Sequence, residues 1–112
     1  MLRTKLNYLF KRYIKNDLKQ VKQFEFYSNG SKYWYLNGKP HREDGPAVEY
    51  SDGTKQWCLY GEFHNLDGPA HRVSTGYHEW WVSGNHYYTH AEYKTAVENY
   101  RMINKKKKIT RG

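Results

Sequence analysis

The segment WYLNGKPHREDGPA, Trp34 to Ala47, returns in altered form as WCLYGEFHNLDGPA, Trp57 to Ala70. Gly30, Gly53 and Gly76 stand 23 residues apart, as do Trp34, Trp57 and Trp80, and Gly38, Gly61 and Gly84. The same offset relates Lys32 to Lys55, Leu36 to Leu59, His41 to His64, Asp44 to Asp67, Gly45 to Gly68, Pro46 to Pro69 and Ala47 to Ala70. Internal repetition constrains a fold more than any local motif, because each copy must adopt the same local structure and pack on its neighbour in the same way.

Each unit reads as two strands and two turns. SKYWYLN and TKQWCLY are rich in aromatic and strand-forming residues. Asn29-Gly30, Asp52-Gly53 and Asn37-Gly38 are two-residue hairpin signals, since a type I′ turn needs positive φ. AVEYS and AHRVS supply the second strands. Side chains alternate along a strand, so Trp34 and Leu36, Trp57 and Leu59, and Trp80 and Val82 share one face. Stacked at a fixed offset, they predict one aromatic stripe as the core.

A His-Arg-Glu-Asp run beside Gly-Pro invites a catalytic reading. Yet the second copy has His64, Asn65 and Asp67, the third has Tyr87 in the histidine position, and nothing completes a nucleophile–base–orienter set. A structural task fits His41, His64, Asp44, Asp67, Gly45 and Gly68 better: the aspartates make side-chain turns, the glycines supply unusual φ, and the histidines bond the neighbouring unit's turn. His78, His86 and His90 lack the spacing of one helix face and have no cysteine beside them, so packing is preferred over metal binding. Cys58, flanked by Trp57 and Leu59 in a strand, reads as a small buried residue rather than a reactive thiol. No catalytic residue, cofactor or metal is expected.

The block resembles a MORN-like family of short repeats carrying W-Y-x-N-G-K-x-H-R-x-D-G-P-A, found mainly in proteins of phages and large DNA viruses. The resemblance spans about residues 24–84. It implies an elongated antiparallel sheet of successive hairpins, and marks a repeat rather than an activity. The third unit departs from it: His90-Ala91-Glu92-Tyr93 stands where a third Asp-Gly-Pro-Ala would be.

The flanks read as helices. Leu2, Leu6, Leu9, Phe10, Tyr13, Ile14, Leu18 and Val21 recur at three and four residues, with Lys and Arg between them. This predicts a basic amphipathic helix over 1–22 that packs on the sheet, with a membrane surface or a partner as alternatives. Thr89 and Glu92 form a capping box, which predicts a helix over 89–105 closing the array, followed by a basic tail over 106–112. The expected fold is therefore α+β: an antiparallel sheet of 23-residue hairpin units over 23–88, flanked by an N-terminal and a capping C-terminal helix.

Charge divides the chain in the same places. Net charge is +8, but residues 1–22 and 94–112 each hold seven Lys/Arg against one acid, while residues 23–93 hold five against nine. One cysteine excludes an intramolecular disulfide and suits a reducing compartment. No run approaches a membrane span, and the first residues lack a signal-peptide core, although an Arg-rich presequence stays open. Together with the viral resemblance, these features lead to the expectation of a non-enzymatic protein-interaction module of phage or viral origin. It would bind and inhibit a host or defence protein in the host cytoplasm. Tyr33, Tyr35, Tyr60 and Trp81 are the anchor candidates, because Tyr and Trp dominate interface hot spots. The alternative is nucleic-acid or ribonucleoprotein binding through the basic ends, with Arg12, Lys15, Lys105, Lys106, Lys107 and Lys108 as contacts. A membrane is not an expected partner, and an open sheet edge leaves a homodimer open.

Overall fold

The structure is a computed structural model that describes residues 8–17 and 20–111, with side chains from 20 to 107. The chain is α+β. Its strands are β1 (Tyr8–Asp17), β2 (Gln20–Tyr27), β3 (Lys32–Leu36), β4 (Lys39–Pro40), β5 (Val48–Glu49), β6 (Lys55–Gln56), β7 (Cys58–Leu59), β8 (Glu62–Phe63), β9 (His71–Arg72), β10 (His78–Val82) and β11 (Asn85–Tyr87), followed by α1 (His90–Arg111). The main sheet runs β1-β2-β3-β5-β6-β9-β10-β11, with β4 beside β3, and β7 and β8 form a separate pair. Every pairing is antiparallel. The molecule measures 45 × 41 × 20 Å, the flat shape of one sheet with a helix at one end.

Hydrogen bonds recur at the offset seen in the sequence. The Trp34 N–H donates to the Ala47 carbonyl and the Trp57 N–H to that of Ala70, at 2.8 and 2.7 Å. His41 N–H bonds Trp34 O and His64 N–H bonds Trp57 O, both at 3.0 Å. Ala47 and Ala70 also donate, to Gln56 O and Glu79 O. Each alanine is thus bonded to strands on both sides and fully inaccessible, which leaves no room for a larger side chain.

The turns are of two kinds. Asn37 and Gly38 both have positive φ (51° and 82°), the type I′ pattern, and Tyr60-Gly61 and Ser83-Gly84 repeat it. Asn29-Gly30 and Asp52-Gly53, expected to be type I′, are not, because only the glycine has positive φ. There Gly30 N–H bonds Tyr27 O and Tyr27 N–H bonds Ser31 O, a longer loop with the glycine as its left-handed residue. Asn29 and Asp52 instead accept the N–H two residues on, from Ser31 and Thr54.

Three expectations are corrected. The helix over 1–22 is replaced across the described residues by β1 and the start of β2; residues 1–7, 18 and 19 lie outside them. Among the residues that recur at helical spacing, Phe10, Tyr13, Ile14 and Val21 are aromatic or β-branched and suit a strand. Pairing decides: β1 is matched with β2 from Tyr8↔Tyr27 to Asp17↔Gln20 and so covers an edge that β2 would otherwise leave open. The tryptophan stripe is not a sealed core. Trp34, Trp57 and Trp80 are half-buried, while the buried apolar residues are Leu36, Ala47, Val48, Cys58, Ala70, Val82, Tyr93 and Val97. A single layer has nothing to close over a large ring. Finally, α1 runs to Arg111, so the helix takes in most of the residues read as the 106–112 tail. Lysine is a good helix former, and nothing in KKKKITR breaks the turn.

α1 starts where the capping residues put it, with Thr89 Oγ1 accepting the Glu92 N–H at 3.2 Å. Tyr93 and Val97 bury against Val82, with Trp80, Leu66 and Tyr100 around them. The helix therefore covers the tryptophan-bearing face at the β10–β11 end.

Candidate interaction surfaces

Register separates the two faces of the sheet. Trp34, Trp57 and Trp80 lie on one, with Phe24 opposite Trp34 across β2 and β3. Tyr33 and Tyr35 point to the other, as do their register partners Glu25, Gln23 and Val48.

The His41 and Asp44 cluster is tied into the scaffold. His41 is buried, and its Nδ1 accepts the Tyr60 N–H at 3.0 Å; His64 Nδ1 accepts the Ser83 N–H at 2.9 Å. An accepting Nδ1 carries no proton, so each ring is held as the Nε2–H tautomer. Burial lowers the pKa of His64 despite the opposing Glu62 charge. Arg42 bonds Asp44 at 2.9 Å, Glu49 at 3.4 Å and the Pro46 carbonyl at 3.2 Å, while lying 3.9 Å over the Trp34 ring. The Arg42 hydrogen bond and charge hold the Asp44 carboxyl below its ordinary value.

Here the roles expected of Asp and Gly change. Asp44 and Asp67 pair with Arg42 and Arg101; the side-chain turn is made by Asn65, whose Oδ1 accepts the Asp67 N–H. Gly45 and Gly68 have no positive φ. Gly45 is a place of close approach: a Cβ there would sit 3.0 Å from the Arg42 guanidinium carbon, so Arg42 would have to shift. Between this loop and β2–β3 lies an open cleft of about 600 Å³, lined by Phe24, Trp34, Leu36, His41, Arg42 and Tyr60 among others.

The opposite face is aromatic and hydrogen-bonded. Tyr33 and Tyr35 stack in parallel, 6.1 Å apart at 3°, and Tyr33 meets Tyr27 and Tyr50 edge-on. Burial, then Tyr50 and Glu25, push the Tyr33 phenol up from 10.0. Glu25 is buried beneath them, bonded by Gln23 and by the Tyr27 hydroxyl. Tyr33 and Phe63 both pack on the buried cluster of Ala47, Val48 and Cys58. Phe63 passes the strip on to Trp81, 5.1 Å away, and His86 stacks on Trp81 at 4.7 Å. Glu79 receives Trp81 Nε1 (3.0 Å) and the Tyr77 hydroxyl (2.8 Å), with His71 at 3.3 Å. Burial opposes its charge, but these bonds hold its carboxyl below the usual range. Glu25 and Glu79 carry no motif in the sequence; the offset places Glu79 where the earlier units have Tyr33 and Gln56.

Of the anchor candidates, Tyr33, Tyr35 and Trp81 share this strip. Tyr60 does not: it sits in the type I′ turn, 60% exposed, with its ring 4.4 Å from His41 beside the cleft. Arg12 and Lys15 belong to β1 at one edge of the sheet. Lys105, Lys106 and Lys107 are exposed on α1, which packs at the other end, and Lys108 follows in the same helix. The two basic groups therefore flank the sheet rather than converge.

His78 and His90 flank Trp80, whereas His86 stacks on the other face, and no group of metal ligands occurs among the described residues. Cys58 is 4% exposed, and burial pushes its thiol up to about 11. No helix among the described residues is long and apolar enough to cross a membrane. Comparison of the chain with protein-family models, with curated proteins and with solved structures finds no match.

Proposed function

We propose that the chain is a non-enzymatic protein-interaction module, built of MORN-like 23-residue hairpin units, that docks a protein partner on its tyrosine-bearing face. One observation carries this reading. Tyr33, Tyr35, Phe63, Trp81 and His86 form a half-buried aromatic strip on the face that α1 leaves uncovered. Rigid aromatic rings over a buried cluster are the material of interface hot spots. The carboxylates on this face are already satisfied, so a partner need not strip water from a bare charge. The roles of His41 and His64 as fixed acceptors support the non-enzymatic side of the reading. The motif resemblance directs the choice of partner to a host or defence protein in the cytoplasm of a cell infected by a phage or virus, with inhibition as the consequence of binding.

The test is affinity capture from nuclease-treated bacterial lysate by the wild-type chain and by a Tyr33→Ser/Tyr35→Ser variant. A single protein retained by the first and lost by the folded second is the expected result. Retention by both would refute the assignment of the face. Loss of all captured material on nuclease treatment would favour the second reading, nucleic-acid binding through the basic ends. That reading draws on the exposure of Lys105, Lys106 and Lys107.

A further inference from the structure

The tryptophan-bearing face holds a charge pattern that its scaffold does not explain. Lys55 of β6 stands directly across from Arg72 of β9, and Arg72 directly across from His78 of β10. Like charges opposite one another on adjacent strands destabilise a sheet. Among the described residues, no carboxylate lies within ion-pair distance of Lys55 or Arg72. Glu49, on the other side of Lys55 in the same row, turns instead to Arg42. Asp52, in the turn alongside, is held by the Thr54 N–H at 2.9 Å and by the Ser74 side chain.

Lys55, Arg72 and His78 line a cleft of about 310 Å³ together with Ser74 and the turn glycines Gly53 and Gly76. His78 is oriented there by its Nδ1, which donates to the Gly76 carbonyl at 3.1 Å. An aromatic surface adjoins the cleft. The Arg72 guanidinium lies 5.9 Å from the ring centroid of Trp57, which follows directly on the end of β6. Trp34 is covered closely by Arg42, and Trp80 by Tyr93 and His90. For Trp57, among the described residues, the cation over the ring is the more distant Arg72, and no aromatic ring pairs with it.

We propose that this row is a binding site for single-stranded nucleic acid, with a backbone phosphate between Lys55, Arg72 and His78 and a base stacked against Trp57. Cations that follow the phosphates beside a ring that takes the base are how such strands are held without sequence preference. The site is separate from the tyrosine strip, which lies on the opposite face, and from the basic residues of β1 and α1. It also accounts for two cations set directly opposite each other in the segment whose overall charge is negative.

The test is a fluorescence anisotropy titration of the full chain with a labelled thymidine oligonucleotide of about 20 residues. Lys55→Gln/Arg72→Gln is expected to weaken binding roughly tenfold and to flatten the salt dependence by about two phosphate contacts. Lys55→Gln alone is also expected to raise the melting temperature of the free protein, since it removes a like-charge pair; a lysine kept for packing would lower it. Converting Lys105, Lys106, Lys107 and Lys108 to Gln should leave most of the affinity. Loss of binding in that variant, with none in Lys55→Gln/Arg72→Gln, would overturn the proposal and move the contact to α1. Equal displacement of the oligonucleotide by polyglutamate would overturn it in favour of an acidic protein partner, and no binding at low salt would end it. Should Arg72→Gln fail to fold, Lys55→Gln carries both readouts.

Discussion

The attachment of α1 can be tested by removing one atom. Tyr93 is 5% exposed, and its hydroxyl lies 2.8 Å from the Asn65 carbonyl, 3.0 Å from that of Gly68 and 3.1 Å from the Gly68 N–H. It donates one proton, shared between two carbonyls, and accepts one. Tyr93→Phe keeps the ring against Trp80, 4.7 Å away, but leaves the Gly68 N–H without its acceptor. A lost neutral hydrogen bond costs about 1 kcal/mol and a stranded N–H about 1–3 kcal/mol more. Gly68 is half-buried, so water recovers part of that, and the sum comes to about 2 kcal/mol. In a domain of this size that corresponds to a melting temperature lower by roughly 8 °C. Urea unfolding followed by tryptophan fluorescence should show a lower midpoint at unchanged slope. Tyr100→Phe is the control, since Tyr100 meets His64 through its ring at 4.9 Å, and it should stay within about 0.5 kcal/mol of wild type. A Tyr93→Phe loss no larger than that of the control would refute the claim that the hydroxyl fastens the helix.

Three further outcomes follow from burial. Ala70 is fully inaccessible, so Ala70→Leu should cost about 1–3 kcal/mol by overpacking; an unchanged urea midpoint would mean that the sheet gives way there. The folded-state pKa of His64 lies below its usual 6.5, so the unfolded chain binds the proton more readily. Stability from this group is complete above that value and declines as pH falls through the lowered one. Urea midpoints should therefore drop on acidification, and His64→Gln, which keeps an acceptor but cannot titrate, should flatten the drop. Cys58, with its thiol pushed up to about 11, should resist alkylation in the native state and react once urea unfolds the chain; rapid labelling of folded protein would contradict its burial.

The sequence made the periodic features legible because the residues that build turns are few and chemically distinct. The Trp, Gly, His and Ala positions at offset 23 are those whose backbone bonds recur, and Thr89 with Glu92 marked the start of α1 correctly. What failed was whatever depends on a partner strand. Leu9, Phe10, Tyr13 and Ile14 follow a helical stripe rather than a strand alternation, and the pairing of β1 with the edge of β2 overrides that pattern. Asn29-Gly30 and Asn37-Gly38 are the same dipeptide in different turns, since the loop on which each is threaded sets the φ of the asparagine. Gly45 was read as a residue of unusual φ and is one of close approach. The opposition of Lys55 to Arg72 could not be seen before the register was known, and neither could the burial of Glu25 under tyrosines.

The architecture also changes how the aromatic residues should be weighed. One layer of sheet has no second layer to seal it, and no large side chain among the described residues is completely buried. Tyrosine and tryptophan suit such a sheet because each covers a wide apolar area and keeps a polar edge for water. Partial exposure of a ring is therefore the ordinary condition here and is weak evidence of binding by itself. The stronger discriminator is departure from the offset. Trp34, Trp57 and Trp80 hold one residue at one place, the mark of a scaffold, so what singles out Trp57 is the cation beside its ring and not its identity. On the other face the corresponding places hold Tyr33, Gln56 and Glu79, then Tyr35, Cys58 and Trp81. A scaffold position tolerates one answer, whereas a recognition surface must differ from unit to unit to distinguish one end of its partner from the other. By the same reasoning Arg72, which stands where the preceding unit has Glu49, departs from the offset, while Lys55 repeats Lys32 and carries weight only through its place opposite Arg72. They sit where the sheet gains nothing from a second positive charge, and a ligand of opposite charge would.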